Sequence, residues 1–439
     1  MVNKEKIFYH GVSQSYARRR TELYIKSVIF LLCFLVFASC ARRDGVNFTL
    51  NEVNEAKNSE LSANIDPFRA RAVEIAASLD DRLLAAQILI CGIDGKGQLP
   101  PHIKELLAEF PAGGVMLFRY NLDTDNDAIR ALVGETVSLI RKGCDVPPFI
   151  AVDHEGGTVN RFMRGVATLP SASTYWELSL SQGKAQALEK IYADSLRAGQ
   201  EINALGINLN FAPVAEHLND NNRVFLESRS YGPDPLFTAE AAGAFVRGME
   251  QAGVLCVIKH FPSSAGDDPH YSASAINADK AALDSLVYPF ASLINTDGGA
   301  RAVMAAHTLV PAVDSEIASL SPAVMEDWLR GELGFDGIII SDDFSMAAAK
   351  IAAARIAAAR GTDAGKQSPA EAAVRSIAAG ADMVLVWPSD LRRTHGAFIS
   401  ALSGGQLSRE RAREAASRVI YEKLRMELIR EDSPRSFSE

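Results

Sequence analysis

The sequence predicts an α/β protein, a single (β/α)₈ barrel of the TIM type, and three observations lead there. First, eight short apolar runs recur along the chain: Gln87–Ile93, Gly113–Phe118, Pro148–Asp153, Ile207–Val214, Leu255–Phe261, Ala302–His307, Gly337–Asp343 and Met383–Trp387. Second, these runs are continuous rather than alternating and mostly β-branched, and segments of helical periodicity separate them. That pattern marks strands buried on both faces, as in a parallel sheet with crossover helices. Third, polar or ionisable residues stand at the C-terminal ends of the runs: Arg119, Asp153, Glu216, Lys259-His260, His307 and Asp342-Asp343. In a barrel those ends converge on one mouth, where active sites form. A doubly wound open sheet is the structural alternative; scattered core positions would not put chemistry at the same end of six strands, and a barrel gathers those ends at one mouth.

The remaining segments fit around this core. Residues 67–430 hold the barrel, and a polar stretch, 40–66, reads as a tether rich in Asn, Glu and Ser. Ala347–Arg360 is Ala-rich with basic residues four to five apart, a strong helix former ended by the Gly/Ser/Pro-bearing break at 361–369. A last helix over about Ser408–Ile429 is expected against the barrel exterior, and residues 431–439 read as a flexible tail.

Composition narrows the function. The 439 residues carry 45 Lys plus Arg against 54 Asp plus Glu, with 23% charged residues and a mean hydropathy of +0.02. These values exclude a mostly disordered chain and a polytopic membrane protein. The first 40 residues hold six basic and two acidic groups, which leaves 39 basic and 52 acidic groups, a net −13, for the rest. Such a body is a poor partner for nucleic acid, which needs clustered cations. Neutral or polar small molecules fit better.

The N-terminus reads as an export signal over residues 1–39. Basic residues up to Lys26 precede the eleven-residue apolar run Val28–Ala38, followed by Ser39-Cys40. Spanning a bilayer takes about 20 apolar residues, so the run fits the core of a secretory signal. Val36-Phe-Ala-Ser-Cys40 resembles a bacterial lipobox, which makes Cys40 the expected lipid-bearing residue and the protein an exported, membrane-anchored lipoprotein. An ordinary cleaved signal and an uncleaved anchor are the alternatives. Cys91, Cys144 and Cys256 then remain without the short spacing of a zinc site or the density of a disulfide scaffold.

Three segments carry a resemblance: Ile150-Ala-Val-Asp-His-Glu-Gly-Gly157, Lys259-His-Phe-Pro262 and Gly334-Phe-Asp-Gly-Ile-Ile-Ile-Ser-Asp-Asp-Phe-Ser-Met346. Asn210-Phe-Ala-Pro-Val214, Arg229-Ser-Tyr231 with Asp234-Pro235, and Ala379-Gly-Ala-Asp-Met383 support them in the same order. The set resembles glycoside hydrolase family 3, and within it the single-domain bacterial β-N-acetylhexosaminidases. The resemblance covers residues 75–425 and implies the same barrel that the strand count gives independently.

The resemblance also implies roles. Asp342, directly after Ser341, matches the nucleophile of a retaining glycosidase, which attacks the anomeric carbon and forms a glycosyl-enzyme. The competing reading, a carboxylate capping the next helix, suits Asp343 better. Asp153, Arg161, Arg229, Lys259 and His260 match positions that hold sugar hydroxyls. His307 stands near another strand end, as either a site residue or a supporting imidazole. Thr158 stands where relatives often carry Arg.

The acid/base segment departs from the family. Relatives carry Gly-His-Gly after Lys-His-Phe-Pro, then Asp-Ser-His; here the chain reads Ser263-Ser-Ala-Gly-Asp-Asp-Pro-His270. The loop is shorter, but Asp268-Pro269-His270 survives, and it implies His270 as the proton shuttle oriented by Asp268. The expected activity is exo-acting, retaining β-N-acetylhexosaminidase action on peptidoglycan fragments or chito-oligosaccharides bearing terminal N-acetylglucosamine. A β-glucosidase or a phosphorylase of the same family is the alternative, and a non-catalytic glycan-binding lipoprotein stands outside the enzyme class. The length after the eighth strand leaves no room for the second α/β domain usual in family 3 β-glucosidases. No metal or other cofactor is implied, and nothing in the sequence speaks to subunit number.

Overall fold

The structure is a computed structural model that describes residues 66–162, 164–266, 274–296, 298–346 and 368–429. The signal and tether with Cys40, the Asp268–His270 triplet, the Ala-rich stretch 347–360 and the tail lie outside the described residues. The body described here starts at Pro67.

Every one of the eight apolar runs contains a barrel strand. These are β1 (Leu89–Gly92), β2 (Gly114–Leu117), β3 (Phe149–Val152), β4 (Leu209–Asn210), β5 (Leu255–Phe261), β7 (Ala302–Ala305), β9 (Ile338–Ser341) and β10 (Val384–Val386). They pair in the order β10-β1-β2-β3-β4-β5-β7-β9, all parallel. A further parallel bridge from Ile340 to Met383, with the Ser341 amide donating to the Met383 carbonyl at 3.0 Å, joins β9 to the residue before β10 and closes the ring. The fold is therefore the (β/α)₈ barrel. Two short strands outside it, β6 (Ser274–Ala275) and β8 (Thr308–Leu309), pair with each other above the main ring.

The two-residue period of a strand divides each run between two cores. Ile90, Met116, Phe149, Ala151, Leu209, Leu255, Val257, Met304, Ile338, Ile340 and Leu385 fill the lumen. Their neighbours Leu89, Cys91, Val115, Ile150, Val152, Cys256, Ile258, Val303 and Ile339 pack beneath the helices. Both sets are apolar, which is why the runs read as continuous.

The last helix, Arg409–Arg425, does more than lie on the exterior. Val419 joins the lumen cluster, and the buried Lys423 ammonium donates to Gln87 Oε1 at 3.0 Å and to the Gly113 carbonyl at 2.8 Å. Both partners stand where β1 and β2 begin, so this helix seals the N-terminal end of the barrel. Asp382, from the Ala379–Met383 motif, works at the same end. It is fully buried and accepts from Arg330 at 2.6 Å, Arg411 at 3.1 Å, Arg418 at 3.2 Å and the Ile339 amide at 2.9 Å. Its role is to tie helices to the start of β9, far from the mouth.

Candidate active site

Strand parity builds the site. Phe149 and Ala151 face the lumen, so the next inward position on that strand is Asp153. In the same way Leu255 and Val257 lead to Lys259, and Ile338 and Ile340 lead to Asp342. Three ionisable side chains from β3, β5 and β9 therefore enter the mouth in one layer above an apolar lumen.

Asp153 and Lys259 are joined by a third residue, Glu155 of the Ile150–Gly157 motif. The Lys259 ammonium, 4% exposed, lies 2.8 Å from Asp153 Oδ1 and 2.6 Å from Glu155 Oε1. Arg229 closes the cluster with a bidentate pair to Glu155, both contacts at 2.9 Å, and Arg161 reaches Asp153 Oδ2 at 3.3 Å. Burial pushes both carboxyl pKa values up, but Lys259, helped by Arg161 at Asp153 and by Arg229 at Glu155, pulls them below the ordinary carboxylate range. Burial likewise opposes the Lys259 charge, and Asp153 and Glu155 more than offset it, raising its pKa. Two anions and three cations thus remain ionised in a dry setting, a fixed array of donors and acceptors for hydroxyl groups. Arg229 belongs to this array through Glu155, with its guanidinium 5.2 Å over the Phe225 ring.

This pairing gives a stability prediction. Lys259→Met leaves two buried carboxylates short of their shared cation and should cost about 3–5 kcal/mol near neutral pH. In the parent the folded pKa values of Asp153 and Glu155 lie below the unfolded ones, so their contribution is present above the unfolded pKa and fades as pH falls. In the variant Arg161 and Arg229 remain, but without Lys259 the folded values are less depressed, so less stability is left to lose as pH falls. Urea titrations should show the gap between parent and variant narrowing from about pH 7 to about pH 4. A gap independent of pH would mean that Lys259 acts by packing alone.

His260 is held from behind by Glu216, a fully buried carboxylate just past β4. Glu216 Oε1 accepts from His260 Nδ1 at 2.7 Å, from the His260 amide at 3.1 Å and from Ser264 Oγ at 3.0 Å. Its Oε2 accepts from Ser263 Oγ at 2.9 Å and from the Ser264 amide. Burial would raise the Glu216 pKa, but the bond from His260 and the other donors hold it low. An ionised acceptor at Nδ1 fixes that nitrogen as the proton carrier and leaves Nε2 on the far side of the ring. The Ser263-Ser264 pair, which replaces Gly-His in the family pattern, thus ties the chain just after β5 to this carboxylate.

On β9 the two adjacent aspartates differ sharply. Asp343 is fully engaged: Oδ1 accepts from the Ser345 amide at 2.8 Å, and Oδ2 accepts from Ser345 Oγ and from the Trp387 indole N–H, both at 2.6 Å. Asp342 Oδ1 accepts only the Asp343 amide at 2.8 Å, and its Oδ2 has no partner among the described residues. Asp343 shapes the turn after the strand, and Asp342 keeps a carboxylate oxygen for other work.

The other histidines near strand ends are occupied. His307 is buried, with Nε2 donating to the Asp343 carbonyl at 3.0 Å and Nδ1 against Ser319 Oγ at 2.7 Å. Burial lowers its pKa, with Asp342 the main opposing charge. It supports the turn after β9 from behind. His154, outward by parity, is fully buried edge-on to Phe162 with ring centroids 5.2 Å apart, and burial lowers its pKa to about 4.

The structure thus brings Asp153, Arg161, Arg229 and Lys259 into one ion cluster, and sets His260 beside it on β5 and Asp342 on β9 at the same mouth. His270, Asp268 and Cys40 lie outside the described residues. Glu155 and Glu216 were absent from the set of site residues expected from sequence. Their signal was their position after β3 and β4.

A barrel whose mouth joins a carboxylate with an oxygen unclaimed among the described residues to a buried ion cluster on two other strands has the architecture of a glycoside hydrolase. Residues 84–421 match the glycosyl hydrolase family 3 N-terminal domain, and the chain belongs to that family. It is 35% identical over 271 residues to a beta-hexosaminidase of Stenotrophomonas maltophilia strain K279a, covering 60% of this chain and 77% of that one. A Methylococcus capsulatus beta-hexosaminidase is 35% identical over 291 residues, 64% of this chain and 78% of its own. Among solved structures, a family 3 β-N-acetylglucosaminidase from Paenibacillus sp. str. FPU-7 superposes with a TM-score of 0.71 at 30% identity. That match covers 82% of this chain and 65% of the Paenibacillus chain. A β-N-acetylhexosaminidase from Beutenbergia cavernae superposes with a TM-score of 0.67 at 28% identity, covering 79% of this chain and 99% of that one.

Proposed function

We propose that the protein is a retaining, exo-acting β-N-acetylhexosaminidase that removes terminal N-acetylglucosamine from peptidoglycan fragments or chito-oligosaccharides. The observation that carries this reading is the Oδ2 of Asp342, unclaimed among the described residues and set in the same layer as Asp153 and Lys259. Asp342 is the nucleophile. Asp153, Arg161, Lys259, His260 and the Arg229–Glu155 pair receive the hydroxyls of the terminal sugar, and His270, oriented by Asp268, moves the proton. Release of nitrophenol from 4-nitrophenyl N-acetyl-β-glucosaminide tests the reading, with the glucoside analogue beside it. Faster turnover of the glucoside would make the enzyme a β-glucosidase, and no turnover of either would leave a glycan-binding barrel.

The second part of the reading places the enzyme on a membrane through lipid on Cys40, supported by the basic segment, the short apolar run and the Ala38-Ser-Cys40 ending. Cys40→Ser should move the protein out of the membrane fraction or stall its processing. Unchanged membrane association with an unchanged mature mass would remove the lipid anchor from the proposal.

A further inference from the structure

The parity that aims Asp153, Lys259 and Asp342 into the mouth also aims residues of the three remaining strands on that side. On β1 the inward position is Gly92, on β2 Phe118, and on β10 Trp387. The ring order β9-β10-β1-β2-β3 puts these three between the strand of Asp342 and the strand of Asp153. Phe118 and Trp387 lie face to face across β1, with ring centroids 4.7 Å apart and planes 8° from parallel. Tyr120 continues the stack on the other side of Phe118 at 5.7 Å and 16°. Gly92 makes this possible, since a Cβ there would meet Phe118 Cε2 at 2.9 Å.

The polar edges of the stack are tied down. The Trp387 N–H donates to Asp343 Oδ2 and to Ser345 Oγ at 3.0 Å, and the Tyr120 hydroxyl donates to the Ile93 carbonyl at 3.0 Å. With both faces of Phe118 covered, the stack still offers the outer face of Tyr120, which is 44% exposed, with Phe118 and Trp387 half-buried behind it. Aromatic plates of fixed orientation that climb from the lumen layer to the rim suit a partner with one flat C–H face and a polar edge, which describes a pyranose ring. The charged array on β3 and β5 already meets the hydroxyls of one sugar.

We propose that Tyr120, braced from behind by Phe118 and Trp387, is the stacking platform for a second sugar ring, the one linked to the terminal N-acetylglucosamine, so that oligosaccharides bind better than single sugars. The inference rests on the hydrolase reading above. Asp342→Ala protein, which holds substrate without consuming it, is titrated calorimetrically with N-acetylglucosamine and with N,N′-diacetylchitobiose. The disaccharide should bind on the order of tenfold more tightly, the worth of one good ring stack. Adding Tyr120→Ala should bring that ratio close to one, and adding Tyr120→Phe should keep most of it. A ratio unchanged by Tyr120→Ala, or no disaccharide advantage before Tyr120 is altered, overturns the platform. Equal losses on both sugars also overturn it, because the ring would then line the terminal-sugar pocket. Failure of the hydrolase reading shows separately: the unaltered enzyme would release no nitrophenol from its N-acetylglucosaminide.

Discussion

Asp342→Ala should lower turnover on the order of 10⁴-fold or more while the barrel unfolds at the parent's urea midpoint. The first half of that expectation follows from bond-making. In the first step an Asp342 oxygen attacks the anomeric carbon as the bond to the leaving oxygen breaks, and among the described residues the neighbouring carboxylates of the mouth are already engaged. Asp153 and Glu155 are locked to Lys259, Arg161 and Arg229. Asp343 spends both oxygens on Ser345 and Trp387. The second half follows from how little Asp342 does for the fold, since its side chain accepts a single amide hydrogen bond among the described residues. A 5-fluoro inactivator built on N-acetylglucosamine, which keeps the 2-acetamido group, should label the peptide carrying Asp342. Label on Asp343, Asp153 or Glu155 would overturn the assignment, and so would an alanine variant that keeps a tenth of the parent's rate.

Part of this site was legible in the sequence because a barrel turns strand ends into a shared location. Once the eight runs are read as parallel strands, period two places Asp153, Lys259 and Asp342 inward and His154 and Asp343 outward, as the structure has them. Partners from distant chain segments were not legible. Glu216 meets His260, Ser263 and Ser264 across 44 to 48 positions, and Arg229 meets Glu155 across 74. No periodicity links such positions, so the sequence showed charged residues without showing which charge answers which. The aromatic stack was hidden for another reason: Phe118 and Trp387 closed two apolar runs and read as core. The short β4 has a local cause. The run Ile207–Val214 looked like a longer strand, but Pro213 has no amide hydrogen for the ladder, and regular pairing stops at Asn210.

His270→Ala should cost on the order of 10²–10⁴-fold on natural sugar linkages and much less on a dinitrophenyl glycoside. The difference lies in the leaving group. A sugar alkoxide cannot depart without a proton, whereas a dinitrophenolate needs none. The enzyme must then deliver one proton in the first step and remove one from water in the second, and a single imidazole can do both. Two rival histidines fail on packing. His154 is shut away against Phe162 with its pKa near 4, so it would be neutral when an acid is needed. His307 spends both ring nitrogens on Asp343 and Ser319, and burial lowers its pKa too. His260 gives its Nδ1 proton to a buried carboxylate, which suits a fixed donor or acceptor for hydroxyls better than a shuttle that must change state twice. His217, directly after Glu216, is buried with its pKa lowered by that burial, which leaves the histidine on the loop that Ser263 and Ser264 tie to Glu216, with Asp268 two residues before it. Azide attacks without a base, so it should restore part of the turnover of His270→Ala and yield the β-glycosyl azide. Asp268→Ala should shift rates in the same direction but less, because it releases the ring's orientation and keeps the ring. If His270→Ala cleaves natural and activated substrates as fast as the parent, the proton comes from elsewhere, and His260 becomes the group to test.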